Sequence, residues 1–180
     1  MALPPLPDEE WNDEVDRALA RLLPAERRNR AGAGDALAVL VRHPELTRAF
    51  LGFNVHLLFG STLDPRLREL TILRVAHRRD CAYEWHHHMK LGRAAGLTDA
   101  DIAAAAGAAA ADEFDRVVLG AVDELDEQSI LSDATWAALG ARLDDRQRMD
   151  FVFTVGCYTT LAMAFNTFGI GPEEAPLAGT

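Results

Sequence analysis

The sequence predicts an all-α fold. Its 180 residues are 49% hydrophobic, and Ala, Leu, Glu and Arg, which are residues that favour helices, dominate the composition. Apolar residues recur every three or four positions along most of the chain, whereas alternating β-branched runs bounded by turn residues are hard to find. Because this length is typical of one compact domain, we expect a single domain over residues 1–180.

Start and stop signals divide the first third of the chain into three helices. Asp8 supplies a capping side chain before the first helix, and Pro24 ends it. Gly60 provides a terminator after the third. The predicted segments are a helix from Asp8 to Pro24, a loop through Gly32 and Gly34, and helices over about 35–42 and 44–59.

A central pair of helices is expected to form an αα-hairpin. Asp64 followed by Pro65 is a strong start signal for the first helix, which should run to about residue 79. Asp80 is then expected to cap the second helix, over about 81–95, and Gly96 to end it in a left-handed conformation.

Four further helices are predicted in the last part of the chain. Thr98 opens a short Ala-rich helix, apolar residues from Phe114 to Leu125 mark another, and Ser132 begins a third. The last helix is long and apolar, from about 145 to 168, and Gly169 ends it. We expect the tail from Gly171 to be loose or draped on a neighbouring molecule.

A faint internal repeat links the two halves of the chain. Residues 63–68 (LDPRLR) recur as residues 143–148 (LDDRQR), 80 positions later. At the same shift the polar residues of the central hairpin become apolar, so the repeat predicts a duplicated helical unit with one site per chain.

Charge and cysteine content exclude several classes of protein. The net charge is −10, from 28 acidic and 18 basic side chains, so a nucleic-acid partner is not expected. The amino terminus lacks a basic region followed by an apolar run, and we expect no membrane-spanning stretch. Two cysteines are too few for a disulfide framework or a thiolate metal cage. These features favour a cytoplasmic protein without a membrane partner.

Reactive side chains are concentrated in the central hairpin. Cys81, Glu84 and His88 lie at i, i+3 and i+7, on one face of one predicted helix. Glu69, on the preceding helix, could complete the cluster. Proton donors and acceptors gathered in an otherwise apolar segment are what proton-transfer chemistry requires. We therefore predict an enzyme whose four side chains meet at one enclosed cavity.

Each of these residues also has a plainer explanation. Cys81 is either a thiolate favoured by the first turn of its helix or a small buried apolar residue. His88 is a general acid or base oriented by Glu84, or half of an ordinary i, i+4 pair. Glu69 lies either on a solvated edge or buried with a partner.

Arginines and histidines near the cluster have other possible functions. Arg66, Arg68 and Arg74 could bind a substrate carboxylate, but surface salt bridges explain them equally well. Consecutive histidines diverge on a helix, so His86 and His87 receive no catalytic function. Only Glu84 and His88 have the spacing of helical metal ligands, and we predict neither a metal nor another cofactor.

These motifs resemble the carboxymuconolactone decarboxylase family, which includes the alkylhydroperoxidase D-like (AhpD-like) proteins. The resemblance covers about residues 50–169, leaving an N-terminal extension (1–49) and a tail (170–180). It implies an all-α fold and a homo-oligomer, commonly a trimer or hexamer, with active sites near subunit contacts. The residues that carry it are Arg68-Glu69-Leu70, Arg74-Val75-Ala76-His77, Tyr83-Glu84-Trp85 with His88, Ala95-Gly96-Leu97 and Phe165-Asn166-Thr167-Phe168-Gly169.

The resemblance also distinguishes two kinds of chemistry. The peroxidase branch has a glutamate, a Cys-x-x-Cys pair and a histidine, which fall here on Glu69, Cys81, Glu84 and His88. An auxiliary histidine of that branch falls on Tyr83. Because a glutamate stands where the second cysteine belongs, the chain looks like the non-redox members, for which the family implies cofactor-free decarboxylation or related proton-transfer chemistry.

The leading hypothesis from the sequence is a cofactor-independent lyase that acts on a small organic acid, lactone or polyketide-like carbonyl compound. His88 moves the proton, and Glu84 and Glu69 support it. Tyr83 or Arg74 stabilises enolate charge, and Trp85 excludes water. Two alternatives stay open: a thiol peroxidase that uses Cys81 alone, and a catalytically silent oligomer that binds a small molecule.

Overall fold

The computed structural model describes residues 2–172, and over these residues it contains nine α-helices and no β-strand, which confirms the all-α prediction. Two short 3₁₀ turns, Asp8–Glu10 and Ala25–Arg27, and a π-helical turn, His56–Gly60, complete the regular structure. The helices are α1 (Asp13–Leu19), α2 (Arg30–Leu40), α3 (Pro44–Val55), α4 (Pro65–Arg78), α5 (Ala82–Ala94), α6 (Asp99–Ala105), α7 (Glu113–Gln128), α8 (Asp133–Leu139) and α9 (Asp145–Phe168).

The chain divides into two compact units. Of the described residues, one unit contains 2–60 together with 165–172, and the other is Ser61–Ala164. The first unit contains α1 to α3, and the second contains the central hairpin and its neighbours. The expected organisation as a single domain with a 1–49 extension stays a prediction. The core of the first unit includes Leu6, Val15, Leu19, Leu23, Val41 and Leu51.

The first helix begins later than the sequence signals suggested. Asp8 lies in a 3₁₀ turn, and Trp11 is extended, so the chain is not yet helical there. Asn12 is the capping residue, because its side chain accepts hydrogen bonds from the backbone N–H groups of Glu14 and Val15. The assignment of Asp8 as the cap was therefore wrong.

The predicted glycine loop is instead part of α2. The side chain of Asn29 accepts a hydrogen bond from the backbone N–H of Gly32, and α2 runs from Arg30 to Leu40. Gly34 interrupts it with a φ of 73° and a ψ of 176°, a conformation that favours glycine. The sequence thus located the break but missed the helical turn before it.

Asp80, in the turn between α4 and α5, is not the N-cap of α5 that the sequence predicted. Asp80 is left-handed, with a φ of 48°, and the N–H of Cys81 donates to the carbonyl of Ala76 at 2.9 Å. This pattern ends a helix, so Asp80 occupies the position after α4 that is usually glycine. Cys81 is consequently the N-cap residue of α5. At the other end of α5, Gly96 has the predicted left-handed conformation, with a φ of 97°.

Ion pairs connect α4 to its neighbours within the second unit. Arg66 donates to both carboxylate oxygens of the buried Asp115, at 3.0 and 2.7 Å. Arg74 makes a similar pair with Asp123, with both distances 2.7 Å, and also donates to the carbonyl of Ala105. Bidentate arginine pairs fix orientation as well as distance, so they hold α4 in register with α7.

The internal repeat corresponds to two helix starts. Asp64 caps α4, and 80 residues later Asp144 and Gln147 exchange backbone-to-side-chain hydrogen bonds, both 2.9 Å, before α9. The similarity ends there, because α9 continues without interruption through positions equivalent to the turn between α4 and α5.

Helix α9 is more apolar than we expected any segment to be. Over the described residues it is long and apolar enough to cross a membrane by length and composition alone, and 44% of its most apolar 18-residue stretch is buried. One such helix does not by itself indicate a membrane span, because the core helices of globular proteins meet the same criteria. The expectation for the tail falls mostly on residues 173–180, which lie outside the described residues.

The cap of α1 provides a test of this helix start. Asn12→Ala should lower the free energy of unfolding by about 1 kcal/mol, because two backbone N–H groups lose their acceptor. Asp8→Ala is the matched control and should change it by no more than a few tenths. Urea denaturation followed by circular dichroism measures both, and a larger effect at Asp8 would contradict the assignment.

Candidate active site

Three of the four predicted catalytic side chains form one buried cluster. Nδ1 of His88 lies 2.6 Å from Oε2 of Glu69, and its Nε2 lies 3.1 Å from Oε2 of Glu84. Glu69 is 1% exposed, and Glu84 and His88 are each 5% exposed. Of the two possibilities for Glu69, the structure therefore shows a buried carboxylate with a partner.

The helical hairpin brings these residues together. Glu84 and His88 are one turn apart on α5, whereas Glu69 reaches the opposite ring nitrogen from α4. The two helices approach closely near Gly92, one turn beyond His88. A Cβ atom at Gly92 would lie 2.7 Å from Cδ1 of Leu97 and 3.6 Å from Cβ of Glu69. The small residue therefore leaves the space in which α5 packs against α4.

Arg68 extends the cluster and balances its charge. Its Nε and Nη2 donate to Oε1 of Glu69 at 3.2 and 3.1 Å, so the Glu69 carboxylate bridges Arg68 and His88. With His88 protonated, the four side chains carry two positive and two negative charges. Such a set is far less costly to bury than an uncompensated carboxylate pair. The sequence had left Arg68 open as a residue that binds a substrate carboxylate or one that forms a surface salt bridge.

The carboxylates hold a proton on His88. Burial by itself lowers the pKa of His88, but the hydrogen bonds and negative charges of Glu69 and Glu84 outweigh it and raise the pKa to about 9. At neutral pH the ring is therefore an imidazolium whose two N–H groups donate to the two glutamates. The ordinary pKa of a histidine is 6.5, and the sequence alone could not show that both ring nitrogens of His88 meet carboxylates.

Tyr158 is a neighbour of the cluster that the sequence did not reveal. Its ring, on α9, meets the His88 ring edge to face, with the centroids 5.0 Å apart and the planes at 89°. Tyr158 is buried. An aromatic face or edge against the imidazolium limits the orientations of the ring. The one signal in the sequence for this contact is that Tyr158 is a tyrosine within a long apolar helix.

Burial governs the ionisation of Cys81. Burial raises the pKa of the Cys81 thiol, and the negative charge of Glu84 raises it too; hydrogen bonds from the backbone of Glu84 and Tyr83 lower it, but less. Of the two possibilities for Cys81, the structure therefore favours the buried thiol over the thiolate, because desolvation of the sulfur outweighs the N–H groups of the first turn.

The cavity beside Cys81 is an open depression rather than an enclosed one. It has a volume of about 240 Å³ and is mostly apolar. Cys81 is therefore close to Glu84 and His88 in sequence, but its side chain lines this depression and does not join their hydrogen-bonded cluster. The lining residues are Ala76, His77, Asp80, Cys81, Ala82 and Trp85.

The three residues proposed to bind substrate occupy different surroundings. Trp85 lines the depression, with its ring centroid 6.0 Å from that of His77. The ring of Tyr83 lies against the ring of His87, with the two ring centroids 4.3 Å apart. Arg74 uses its guanidinium in the pair with Asp123, so its position favours a structural function over substrate binding.

A metal centre has little support from the side-chain arrangement. Between residues 2 and 172, no group of three or more His, Cys, Asp or Glu side chains is placed to hold a metal ion. Both ring nitrogens of His88 already face carboxylates at hydrogen-bonding distance.

Comparison with known proteins finds a family model that matches part of the chain. The model of the carboxymuconolactone decarboxylase family matches residues 44–127, which confirms the resemblance seen in the sequence motifs. No curated protein sequence matches the chain.

Solved structures share the fold at low sequence identity. The AhpD core of an uncharacterized peroxidase-related protein from Ralstonia eutropha JMP134 has a TM-score of 0.74 at 19% identity, over 97% of this chain and 94% of that one. A peroxidase-related protein from Silicibacter sp. TM1040 has a TM-score of 0.69 at 21% identity, over 96% and 91%. A protein of unknown function from Agrobacterium tumefaciens, a candidate AhpD antioxidant defence protein, has a TM-score of 0.67 at 21% identity, over 75% and 95%.

The ionisation of His88 can be measured directly. In an NMR titration with ¹⁵N-labelled histidine, the His88 ring should lose its proton near pH 9. Glu69→Gln should lower that pKa, because it removes one of the two carboxylates that stabilise the imidazolium. Glu45→Gln, on the surface of α3, is the control and should leave it unchanged. A His88 pKa near 6.5 in the unaltered protein would refute the charge assignment.

The same network makes stability depend on pH. The pKa of His88 is about 9 in the folded protein and 6.5 without the fold, so its stabilising contribution is complete below pH 6.5 and is lost as the pH rises through 9. The free energy of unfolding should fall by roughly 3 kcal/mol across this window.

Denaturation of His88→Gln over the same pH range isolates this contribution. The variant should be less stable than the unaltered protein at pH 6.5. Its free energy of unfolding should change little as the pH rises, because the glutamine amide does not titrate. An equally steep decline in the variant would assign the pH dependence to other groups.

Proposed function

Because residues 44–127 match the model of the carboxymuconolactone decarboxylase family, we propose that the protein is a cofactor-independent lyase. It decarboxylates, or cleaves a related carbon–carbon bond in, a small carbonyl acid or lactone. The observation that carries this proposal is the imidazolium of His88 held between Glu69 and Glu84. The imidazolium carries one proton that can be transferred, and proton transfer requires no redox group.

The proposed reaction uses that proton once in each turnover. The bond to the substrate carboxylate breaks, carbon dioxide leaves, and the electron pair passes into the neighbouring carbonyl to form an enolate. The enolate carbon then takes one proton from the site, and solvent restores it. General acids of this kind contribute about 10²- to 10⁴-fold to a rate.

In this mechanism Glu84 transfers the proton from the His88 imidazolium to the substrate. Both ring nitrogens of His88 face carboxylates, so the proton on Nε2 passes through Glu84. The charge of Glu84 also acts on Cys81, which lines the depression. We therefore place the reacting carbon in the depression between Cys81 and Trp85.

Charge balance supports an anionic substrate. The protonated cluster of Arg68, Glu69, Glu84 and His88 has no net charge, so it does not repel a carboxylate as a bare pair of glutamates would. The apolar lining of the depression, including Trp85, favours loss of carbon dioxide because a carboxylate is less stabilised there than in water.

A thiol peroxidase is the second candidate function. It is supported by the position of Cys81 beside an open depression and by the structural neighbours described as peroxidase-related. The raised pKa of Cys81 weighs against it, because the thiolate is the reactive form. In that case Cys81 would reduce a peroxide, and an external thiol would have to reduce the resulting sulfenic acid.

Two substitutions distinguish the candidates. With a panel of β-keto acids and lactone carboxylates, assayed by release of carbon dioxide, His88→Gln should lower kcat by about 10²-fold or more. Cys81→Ser should retain most of the activity, because the sulfur takes no part in proton transfer. His86→Gln, on the same helix, is the matched control and should behave like the unaltered protein.

The opposite pattern would favour the thiol chemistry. Rapid loss of one thiol per chain at low peroxide, abolished by Cys81→Ser and accompanied by no release of carbon dioxide from any acid of the panel, would overturn the lyase proposal.

A further inference from the structure

The proposed reaction needs a hydrogen-bond donor at the carbonyl oxygen of the substrate. As carbon dioxide leaves, negative charge moves to that oxygen, and a donor placed there stabilises the transition state. His88 cannot supply it, because both of its ring nitrogens face carboxylates. The guanidinium of Arg74 is held by Asp123 and the carbonyl of Ala105, and Tyr83 is outside the set of residues that line the depression. The donor must therefore come from that lining.

Two of the six lining residues carry a strong hydrogen-bond donor. The two alanines have apolar side chains, the carboxylate of Asp80 only accepts, and the thiol of Cys81 is a weak donor. The rings of His77 and Trp85 remain. An indole always has an N–H, and an imidazole has one on at least one nitrogen in either protonation state.

His77 is the better placed of these two residues. It lies in the last turn of α4, and its side chain is exposed. Its ring centroid is 6.0 Å from that of the half-buried Trp85, with the planes at 55°. Between residues 2 and 172, the His77 ring makes no hydrogen bond to another group of the protein. The indole therefore restricts the orientations of the imidazole while the imidazole N–H stays available.

The size and charge of the depression favour a short acid with one carboxylate. Its volume of about 240 Å³ is that of about eight water molecules in the liquid. Cys81 and Ala82, at the start of the 13-residue helix α5, line it, and the helix dipole favours negative charge at this end. Asp80 is the acidic residue of the lining and opposes a second negative charge. A β-keto monoacid therefore fits better than a dicarboxylate.

We propose that His77 is a catalytic residue whose ring N–H donates a hydrogen bond to the carbonyl oxygen of a short β-keto monoacid. The inference rests on the proposed lyase function. When the bond to the carboxylate carbon breaks, its electron pair forms the enolate, carbon dioxide leaves, and the single negative charge moves to the oxygen at His77. The enolate carbon then takes the proton delivered through Glu84, the carbonyl re-forms, and solvent returns a proton to the site. His77 holds the oxygen and transfers no proton.

Two exchanges at His77 separate the donor from the ring. His77→Phe keeps a flat ring beside Trp85 but has no N–H, whereas His77→Gln keeps an N–H without the ring. With acetoacetate, assayed by release of carbon dioxide, His77→Phe should lower kcat by about 10²-fold or more and change KM little, because the hydrogen bond strengthens only as charge develops on the oxygen. His77→Gln should lose no more than about tenfold. His86→Phe, the same exchange at a histidine outside the depression, is the matched control and should retain kcat.

Asp80→Asn tests the charge of the depression. Asparagine also adopts the left-handed conformation of residue 80, so the turn should keep its shape. Loss of the negative charge should lower KM for acetoacetate a few-fold at low salt, and added salt should reduce the difference. Asp13→Asn, at an exposed position of α1, is the control and should leave KM as it is.

Binding of acetate gives a readout that does not depend on turnover. Acetate is planar, carries one negative charge and has the shape of the acetone enolate that acetoacetate would produce. In spectra of ¹⁵N-labelled protein, acetate should shift the ring signals of His77. Its Kd, followed through the indole N–H of Trp85, should rise about tenfold in His77→Phe, because a charged oxygen loses its donor. The Kd in His86→Phe should equal that of the unaltered protein.

The outcomes separate this inference from the lyase proposal. Undiminished kcat in His77→Phe, an equal loss in His77→Phe and His77→Gln, or acetate binding that leaves the His77 signals unchanged would overturn the function of His77 and leave the lyase proposal standing. A protein that binds acetate through His77 but releases no carbon dioxide from acetoacetate or any acid of the panel would refute the lyase, and with it the catalytic function of His77. Circular dichroism of each variant separates these effects from loss of fold.

Discussion

The imidazolium of His88 between two buried glutamates is the interaction on which the site depends. Removing either carboxylate would leave the remaining charges in the cluster unbalanced within the protein, and removing the ring would bring two carboxylates together without a cation between them. Arg68 completes the balance through Glu69. Charge compensation therefore explains both why these four side chains can be buried and why a proton is held there.

The turn between α4 and α5 makes this arrangement possible. Asp80 takes the left-handed conformation that ends α4, and the chain reverses so that Glu69 and His88 face each other. Gly92 keeps the two helices close on the other side of His88. Because Cys81 is the first residue after that turn, it lies at the edge of the hairpin, beside the open depression. The turn at Asp80 thus sets the positions of both the His88 imidazolium and the Cys81 thiol.

Glu84 favours the chemistry that we propose for the hairpin. The family resemblance aligns it with the second cysteine of the peroxidase branch, where a disulfide would form with the first. A carboxylate at this position instead accepts a hydrogen bond from His88 and raises the pKa of Cys81. The same residue therefore stabilises a proton on the histidine and disfavours the thiolate, which is the physical argument for the acid–base chemistry that we propose.

The sequence by itself determined the helical class, the hairpin of α4 and α5, and the shared face of Glu84 and His88, because helical periodicity and capping signals act over a few residues. It did not identify Asn12 as a cap or Asp80 as a left-handed residue, since a capping side chain looks the same at several nearby positions. Only the tertiary structure decided that Glu69 and Tyr158 contact His88, that Arg68 pairs with Glu69, and that burial controls the ionisation of Cys81. These facts depend on packing between helices that are distant in sequence, and therefore on solvent exclusion and charge pairing that no local pattern contains.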